Sequence, residues 1–254
     1  MDRLTEDTFW DRYWENVTIP SCIDLKFSFD RCLAKVLLEQ LKDKRGNLFE
    51  VGCAPGRWLA FLSECLGLAP HGIEYSSAGK ELTKKNLEFL RLPSSGIING
   101  DFFEEPPHGQ FDVVLSLGFI EHFENPDQVV AKHLDWLKEG GTLVIGVPNF
   151  RGIYHPLQSI LDRNLLEKHN LGTMSLGFFQ ALAHKFDLDI QYLSFLGSFE
   201  PALLIPSDGK RSLKQGLLIL LIRICLRLRR FEWLDRFNHP LFSSYIMGVF
   251  VKRT

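Results

Sequence analysis

The sequence has few cysteines, and none of them is arranged for a disulfide framework or a metal. It contains five, an odd number, with no CxxC pair and no cluster with histidine at metal-ligand spacing. Disulfide-rich secreted domains and zinc sites both depend on such spacings. We therefore expect reduced thiols, no metal site and a cytoplasmic location.

The sequence also lacks long apolar runs. No uninterrupted run reaches the roughly 18 apolar residues that a membrane-spanning helix needs. The first residues, MDRLTEDTFWDRYWEN, are acidic and lack the apolar segment of a signal peptide. Neither a transmembrane helix nor a secretory leader is predicted.

Positive charge is scarce outside the C-terminal fifth of the chain. From Ser207 onward there are ten Lys or Arg and three Asp or Glu, a net charge of +7, whereas the preceding residues carry 19 basic and 28 acidic side chains. An acidic body lacks the electrostatic footprint of a nucleic-acid-binding protein, so no nucleic-acid partner is expected. The basic C-terminal part favours an anionic partner or a solvated helix face.

Short apolar runs alternate with helical patterns along most of the chain. The length of 254 residues, with 45% hydrophobic and 24% charged residues, suits a single globular domain. The predicted strands are 47–52, 71–75, 96–100, 111–117, 142–147, 188–195 and 245–252. The predicted helices between them are 56–66, 77–90, 126–137 and 175–185, with a turn at 138–141. This alternation predicts an α/β fold with a parallel sheet and helices on both faces.

Three segments lie outside this alternation. Residues 1–45 carry two helical patterns and are predicted to form an N-terminal helical lid, with Trp10, Tyr13 and Trp14 either over a ligand or in an ordinary core stripe. Residues 150–174 are predicted to be rich in loops. Residues 197–243 form a helical insertion between the last two strands that is much longer than an ordinary hairpin connection.

The first strand ends in the sequence LFEVGCAPGRW, residues 48–58. Glycines at a strand-to-helix turn let the backbone approach a ligand, and the free amides of the helix can bind an anionic group. The spacing Gly52-x-x-x-Gly56 differs from the GxGxxG fingerprint of dinucleotide sites. The Glu50 carboxylate would repel a pyrophosphate but attract an ammonium. A nicotinamide-dependent oxidoreductase is therefore disfavoured.

The pattern E-x-G-x-x-x-G at this turn resembles motif I of the class I S-adenosylmethionine (SAM) dependent methyltransferases. Further segments agree in order and spacing, namely Glu74, Asp101-Phe102, SLGFIEH at 116–122 and LKEGGTLVIGVPN at 137–149. The segment after the fourth strand is similar to that of ubiquinone-type and small-molecule methyltransferases. Several motifs in register are more specific than one glycine turn.

The resemblance implies a fold and a cofactor. The fold is Rossmann-like, with a seven-stranded, mostly parallel sheet of order 3-2-1-4-5-7-6 in which strand seven is antiparallel. The cofactor is SAM, whose ribose hydroxyls Glu74 would hold and whose adenine amino group Asp101 would bind. The positions implied in cofactor binding are Glu50, Gly52, Cys53, Ala54, Gly56, Glu74, Tyr75, Asp101, Phe102, Ser116 and Leu117.

The motif departs from the family at Ala54-Pro55, where many members have glycine and a small polar residue. An Ala-Pro-Gly variant is found in ribosomal RNA 2'-O-methyltransferases. Because alanine tolerates a positive φ poorly, we expect a negative φ at Ala54.

His122 is the candidate catalytic residue, because it follows strand four, where the resemblance places the methyl group. A neutral imidazole there could accept the proton of a hydroxyl acceptor. The alternative is a helix-capping or packing histidine, and Glu121 beside it would either orient the substrate or cap the next helix. The candidate acceptor-binding residues are Tyr154, His155, His169 and Asn170, although their positions after strand five favour a solvated loop over an acceptor pocket.

The acceptor class is narrowed by missing motifs. Neither NPPY nor DPPY follows strand four, and neither does a Pro-Cys pair, which argues against methylation of nucleobase amino groups and of cytosine C5. Residues 150–174 resemble segments of bacterial methyltransferases of polysaccharide and glycolipid assembly.

Residues 212–234 of the insertion predict an amphipathic basic helix. One face carries Arg223, Arg227 and Arg230, and the other carries Leu217, Leu221, Ile224, Cys225 and Leu228. Such a helix can lie at a membrane interface, bind an anionic head group, cap an acceptor pocket, form a dimer face or pack on the sheet.

These features predict a SAM-dependent methyltransferase that acts on an oxygen or nitrogen atom of a small-molecule, sugar or lipid-linked acceptor. The alternative is a SAM-binding regulatory or scaffold protein without catalysis. The expected location is cytoplasmic, with or without peripheral membrane contact through residues 212–234. The sequence predicts neither the acceptor itself nor the oligomeric state.

Overall fold

One seven-stranded sheet organises the chain in a computed structural model, which describes residues 2–5, 7–107, 109–204 and 212–253. The strands are β1 (Asn47–Val51), β2 (Ala69–Glu74), β3 (Ile97–Asn99), β4 (Phe111–Leu117), β5 (Leu137–Pro148), β6 (Leu188–Leu196) and β7 (Tyr245–Lys252). The helices are α1 (Asp7–Trp14), α2 (Ser28–Leu41), α3 (Arg57–Leu66), α4 (Ser77–Phe89), α5 (Pro126–Trp136), α6 (Tyr154–Leu161), α7 (Arg163–Glu167), α8 (Leu176–Lys185) and α9 (Leu213–Cys225).

The strand order is β3-β2-β1-β4-β5-β7-β6, which confirms the fold predicted from the sequence. β1 pairs in parallel with β2 and β4, and β5 continues the parallel set. β7 runs antiparallel to both of its neighbours, β5 and β6. All parallel strands therefore end at the same edge of the sheet, where ligands of open α/β folds bind.

The sheet is buried on both faces, which explains its nearly continuous apolar strands. One face packs against α2 and α3 through a cluster that includes Leu37 and Leu59. The other face packs against α5 and α8 through a cluster that includes Trp136 and Phe179. The two clusters form the core that holds the strand ends in place.

The predicted turn at residues 138–141 was wrong, because β5 already begins at Leu137. Leu137 is buried and pairs with Phe111, and the register then shifts before Thr142 pairs with Val113. The Lys138 ammonium also bonds the Asp112 carboxylate at 2.7 Å. Pairing at Leu137 and Thr142 therefore keeps the segment within β5 as an irregularity, in which Gly140 has φ +72°.

The three segments outside the predicted alternation are more structured than expected. Residues 150–174 contain α6 and α7. The two helices of the predicted lid, residues 1–45, lie in different places. α1 contacts α4, whereas α2 packs on one face of the sheet with α3 and β6. The predicted basic helix at 212–234 is helical to Cys225 and continues as 3₁₀ turns.

The packing face of α9 also differs from the sequence-based assignment. Leu218, Ile219 and Ile222 pack against the core, whereas Leu217 and Ile224 are exposed. The helix is thus apolar on two opposite faces, and periodicity alone does not identify the packed one. The side chain of Leu228 lies outside the described residues. Within the described ranges, no helix is long and apolar enough to cross a membrane.

Trp136 should be a major contributor to stability. It is fully buried, and its ring stacks on Phe49 with centroids 4.3 Å apart. Replacing it by alanine should lower the free energy of unfolding by about 3–5 kcal/mol, because a large cavity remains. Urea denaturation measures the change. The exposed Phe89→Ala is the control and should change stability by less than about 0.5 kcal/mol; equal losses would contradict the packing described here.

Candidate active site

A cavity of about 250 Å³ opens at the carboxyl ends of β1, β2 and β4. Residues predicted to bind the cofactor line part of its wall, namely Gly52, Ala54, Glu74, Tyr75, Phe102 and Leu117. Segments that are far apart in sequence close the other sides, including the N-terminal residues Arg3 and Thr5. The cavity is therefore built at the expected edge of the sheet, but from more of the chain than the motifs cover.

The turn after β1 requires glycine at two positions. Gly52 has φ +69°, and a Cβ there would lie 2.9 Å from the Phe119 ring. Gly56 has φ +81° where α3 begins. Ala54 is not among the described non-glycine residues with positive φ, which confirms the expectation for this position. The backbone of the turn therefore forms one wall of the cavity without side chains in the way.

Glu74 ends β2 on the cavity wall, and its carboxylate is already oriented. The Ala54 amide donates to Glu74 Oε2 at 3.2 Å, and the Ser76 amide donates to Oε1 at 3.0 Å. Burial raises the pKa of Glu74 to about 7, although these amides oppose the shift. A buried carboxylate facing a cavity is suited to accept hydrogen bonds from hydroxyl groups such as those of a ribose.

Glu50 lies behind the turn and not on the cavity wall. Its side chain is 5% exposed, and Oε2 has no hydrogen-bond partner among the described residues. Burial and the neighbouring Glu74 raise the pKa of Glu50 well above its usual value. A glycine-walled slot beside the Glu74 carboxyl group, with the buried carboxyl group of Glu50 behind it, fits a ligand that carries an ammonium and a ribose, as SAM does.

Asp101 is engaged by the N-terminal segment. Its carboxylate forms an ion pair of 2.6 Å with Arg3, whose guanidinium also lies 4.3 Å from the centroid of the Tyr75 ring. Sequence patterns gave no indication of Arg3, because no periodicity or motif connects residue 3 with residue 101. Arg3, which itself lines the cavity, therefore connects Asp101 and Tyr75, two residues predicted to bind the cofactor.

Aromatic side chains form the wall nearest His122. Trp10, Tyr13 and Trp14 of α1 line the cavity together with Phe119 and Phe123. The Trp10 ring meets the His122 ring edge to face, with centroids 5.2 Å apart. These rings exclude water from the region beside His122, which strengthens polar interactions there.

His122 lines the cavity from a 3₁₀ turn, Ile120–His122, that follows β4. Its Nδ1 lies 2.9 Å from the Lys168 carbonyl oxygen, so Nδ1 carries the proton and Nε2 is a hydrogen-bond acceptor. Burial lowers the pKa of His122 to about 3. The ring is thus neutral at physiological pH, and it is better suited to position an acceptor group than to take up a full proton.

Several predicted site residues lie away from the cavity wall. Cys53, Gly56 and Ser116 are buried behind it, and His155 is exposed to solvent. Tyr154 is fully buried, where its hydroxyl donates to the Phe242 carbonyl at 3.1 Å and accepts from the Glu200 amide at 2.7 Å. The geometry gives Tyr154 a role in holding the insertion.

Asn170 and His169 also lie behind the wall, next to the turn that carries His122. The Asn170 amide donates to the Glu121 carbonyl at 2.6 Å, and its side chain donates to the Phe123 carbonyl at 3.2 Å. The His169 ring lies 4.7 Å from the His122 ring, centroid to centroid. Asn170 thereby joins the segment after α7 to the turn that carries His122.

Comparison with known proteins places the chain in a methyltransferase family. Residues 26–193 match a family model described as a methyltransferase domain. A curated relative, a malonyl-[acyl-carrier protein] O-methyltransferase from Halalkalibacterium halodurans, is 28% identical over 111 residues, which cover 41% of this chain and 39% of that protein. The chain spans little more than a third of the length of the curated relatives it matches.

Solved structures share the fold. A SAM-dependent methyltransferase from Archaeoglobus fulgidus has a TM-score of 0.55 at 16% identity, and the alignment covers 87% of this chain and 93% of that chain. A phosphoethanolamine N-methyltransferase from Haemonchus contortus, in complex with SAM, has a TM-score of 0.56 at 15% identity over 87% of this chain and 52% of its own.

The affinity for SAM should depend on the protonation of Glu74. Its pKa is about 7, so the carboxylate form, which is predicted to accept the ribose hydrogen bonds, predominates above that pH and is lost below it. Affinity should therefore fall by up to about tenfold for each pH unit below 7 and level off above it. Calorimetric titration across this range measures the effect.

The Glu74→Gln variant should bind SAM more weakly at high pH and show a flatter profile. The exposed Glu81→Gln is the matched control and should keep the wild-type profile. A wild-type affinity that does not change with pH, or a slope that survives in Glu74→Gln, would contradict this role.

Proposed function

Because the chain belongs to the class I SAM-dependent methyltransferases, we propose that it transfers a methyl group to an oxygen atom of a lipid-linked acceptor at a membrane surface. SAM supplies an electrophilic methyl group when it is bound. The protein supplies binding, orientation and the exclusion of water. The match to an O-methyltransferase whose named substrate is attached to a carrier supports an oxygen acceptor on a carried molecule.

The residues that would hold SAM lie on one side of the cavity. Glu74 is placed for the ribose hydroxyls, and the backbone at Gly52 and Ala54 can approach the methionine part. Phe102 offers an apolar surface for the adenine ring. Asp101 would have to exchange part of its contact with Arg3 for the adenine amino group.

The acceptor would lie on the side of His122. The neutral Nε2 of this ring can accept a hydrogen bond from an acceptor hydroxyl, which fixes the direction of its oxygen lone pair. Methyl transfer to that oxygen releases the hydroxyl proton, which would pass to solvent because the low pKa of His122 prevents the ring from retaining it. Trp10 and Phe119 remove water from the same region. Orientation in a dry pocket is the main requirement of a displacement reaction.

The observation that carries the lipid-linked acceptor is an exposed apolar stripe on α9. Leu213 is 92% exposed, Leu217 is 61% exposed and Ile224 is 59% exposed, and Leu220 and Leu221 lie on the same side of the helix. Soluble proteins rarely expose so many neighbouring leucines unless a surface covers them. The opposite face of α9 is already packed on the core, so this stripe remains available to a partner.

Basic side chains flank the stripe. With 3.6 residues in each turn, Lys214 and Arg223 lie about 90° to either side of its centre. Arg227 follows in the next turn and is exposed. An apolar stripe between cations is typical of helices that lie in the interface of an anionic bilayer. A membrane therefore fits this face better than an uncharged protein partner.

The position of the stripe supports the same acceptor class. The insertion leaves the sheet at the end of β6 and returns at the start of β7. Since β6 runs parallel to β5, both points lie at the edge of the sheet that contains the cavity. A bilayer bound by α9 would thus lie at the edge where the acceptor enters.

Sedimentation with liposomes tests the membrane contact. Wild type should bind vesicles that contain anionic lipid and should not bind neutral vesicles. Lys214→Ala with Arg223→Ala should lower the partition coefficient about 30-fold, at about 1 kcal/mol for each cation. Leu217→Ser with Ile224→Ser should also lower it, whereas the exposed Phe89→Ser on α4 should have no effect. Failure of wild type to bind, or dimerisation through this face without lipid binding, would contradict the proposal.

Transfer of labelled methyl groups tests the reaction. Wild type with labelled SAM should label an oxygen atom in the lipid fraction of a membrane extract. The His122→Ala variant should bind SAM normally but lower kcat by about 10²-fold, because the acceptor loses its orientation. Labelling confined to nitrogen or to water-soluble molecules would contradict the acceptor class. SAM binding without any labelling would favour the regulatory alternative.

A further inference from the structure

Glu121, His122 and His169 bring three potential metal ligands together behind the cavity wall. One atom from each side chain lies within 4.8 Å of the other two. Glu121 and His122 belong to the turn after β4, whereas His169 follows α7. This cluster forms only in the fold, because 47 residues separate the two histidines.

Both histidines are held in the tautomer that a metal requires. His122 Nδ1 lies 2.9 Å from the Lys168 carbonyl, and His169 Nδ1 lies 2.7 Å from the Leu165 carbonyl. A carbonyl oxygen only accepts, so each Nδ1 carries the proton and each Nε2 keeps a free lone pair. Ligating histidines commonly donate their second nitrogen to a carbonyl in this way.

The Glu121 carboxyl group is buried without full compensation. Its side chain is 1% exposed, and Oε2 has no hydrogen-bond partner among the described residues. The other oxygen, Oε1, lies 3.8 Å from His122 Nε2, which is too long for a hydrogen bond. A buried carboxylate without a partner is costly, and a bound cation would remove the cost.

The backbone around the cluster holds it rigidly. The Asn170 amide donates to the Glu121 carbonyl at 2.6 Å, and the Leu4 amide donates to the His122 carbonyl at 2.8 Å. The ligand-bearing segments are therefore joined to each other next to the ligands themselves. Such support is what a preorganised metal site needs.

We propose that Glu121, His122 and His169 bind one divalent transition-metal ion, of which Zn²⁺ and Fe²⁺ suit the ligands best. Two imidazoles and one carboxylate are the ligand set of many catalytic sites for these ions. Ligand atoms on one zinc ion lie roughly 3–4 Å apart, given bonds of about 2.0–2.2 Å. Small side-chain rotations would bring the three atoms to that spacing.

The role of the ion follows from its position and rests on the function proposed above. His122 lines the cavity, so positions left open on the ion can face the acceptor. With the ion bound, His122 Nε2 coordinates it and no longer accepts a hydrogen bond, so an acceptor hydroxyl would bind the ion instead, be oriented by it and lose its proton to solvent more easily. Binding of the ion itself needs neither acceptor nor membrane.

Metal titration of the 254-residue chain tests the site. After dialysis against a chelator, Zn²⁺ should bind with one ion per chain in calorimetry, and Co²⁺ should give visible absorption bands of a nitrogen- and oxygen-coordinated ion. Glu121→Gln and His169→Gln should each weaken binding by about 100-fold or more. The exposed His184→Gln on α8 is the matched control and should bind as wild type does.

Circular dichroism and SAM binding establish that each variant is folded. Since His169 is only partly buried, His169→Gln keeps the test informative if Glu121→Gln does not fold. The proposal is overturned if folded wild type binds no stoichiometric ion, or if folded His169→Gln binds with wild-type affinity. No acceptor or lipid is present, so this outcome is independent of the liposome and transfer experiments.

Discussion

The 3₁₀ turn Ile120–His122 is the point on which the site depends, because two separate parts of the chain are hydrogen-bonded to it. The Leu4 amide bonds the His122 carbonyl, and the Asn170 amide bonds the Glu121 carbonyl. The His122 ring in turn donates to the Lys168 carbonyl. These bonds fix three segments relative to one another, namely the N-terminal residues around Leu4, the end of β4 and the segment after α7. The cavity keeps its shape only while all three meet at this turn.

The sheet could be predicted because its information is local. β1 and β4 are short, nearly continuous apolar runs bounded by turn residues, and this pattern is typical of strands buried on both faces. Glu74 and Phe102 were assigned through the resemblance to methyltransferases, and both line the cavity because Glu74 ends β2 and Phe102 lies three residues after β3. The end of a strand fixes where the next side chains lie, so motif position was sufficient to place them at this edge.

The remaining features depend on contacts between distant residues. Nothing in the sequence connects Arg3 with Asp101, or His169 with His122, because these pairs meet only after the sheet and its covering segments have packed. Residues 138–141 contain glycines typical of a turn, but β5 already begins at the buried Leu137 and includes them. For α9 the spacing is ambiguous in principle, since two opposite faces are apolar and only the fold selects between them.

Tyr154 has a consequence for how this protein can diversify. Its hydroxyl bonds the Glu200 amide at one end of the insertion and the Phe242 carbonyl at the other. The base of the insertion is thereby tied to the core, and a hydrogen bond from the Gly197 amide to Asn238 Oδ1 at 3.0 Å joins its two ends directly. The segment between these contacts can vary in length while the strands on either side keep their register. Under the function proposed above, changes of acceptor preference would accumulate in this segment while the sheet and the cavity stay constant.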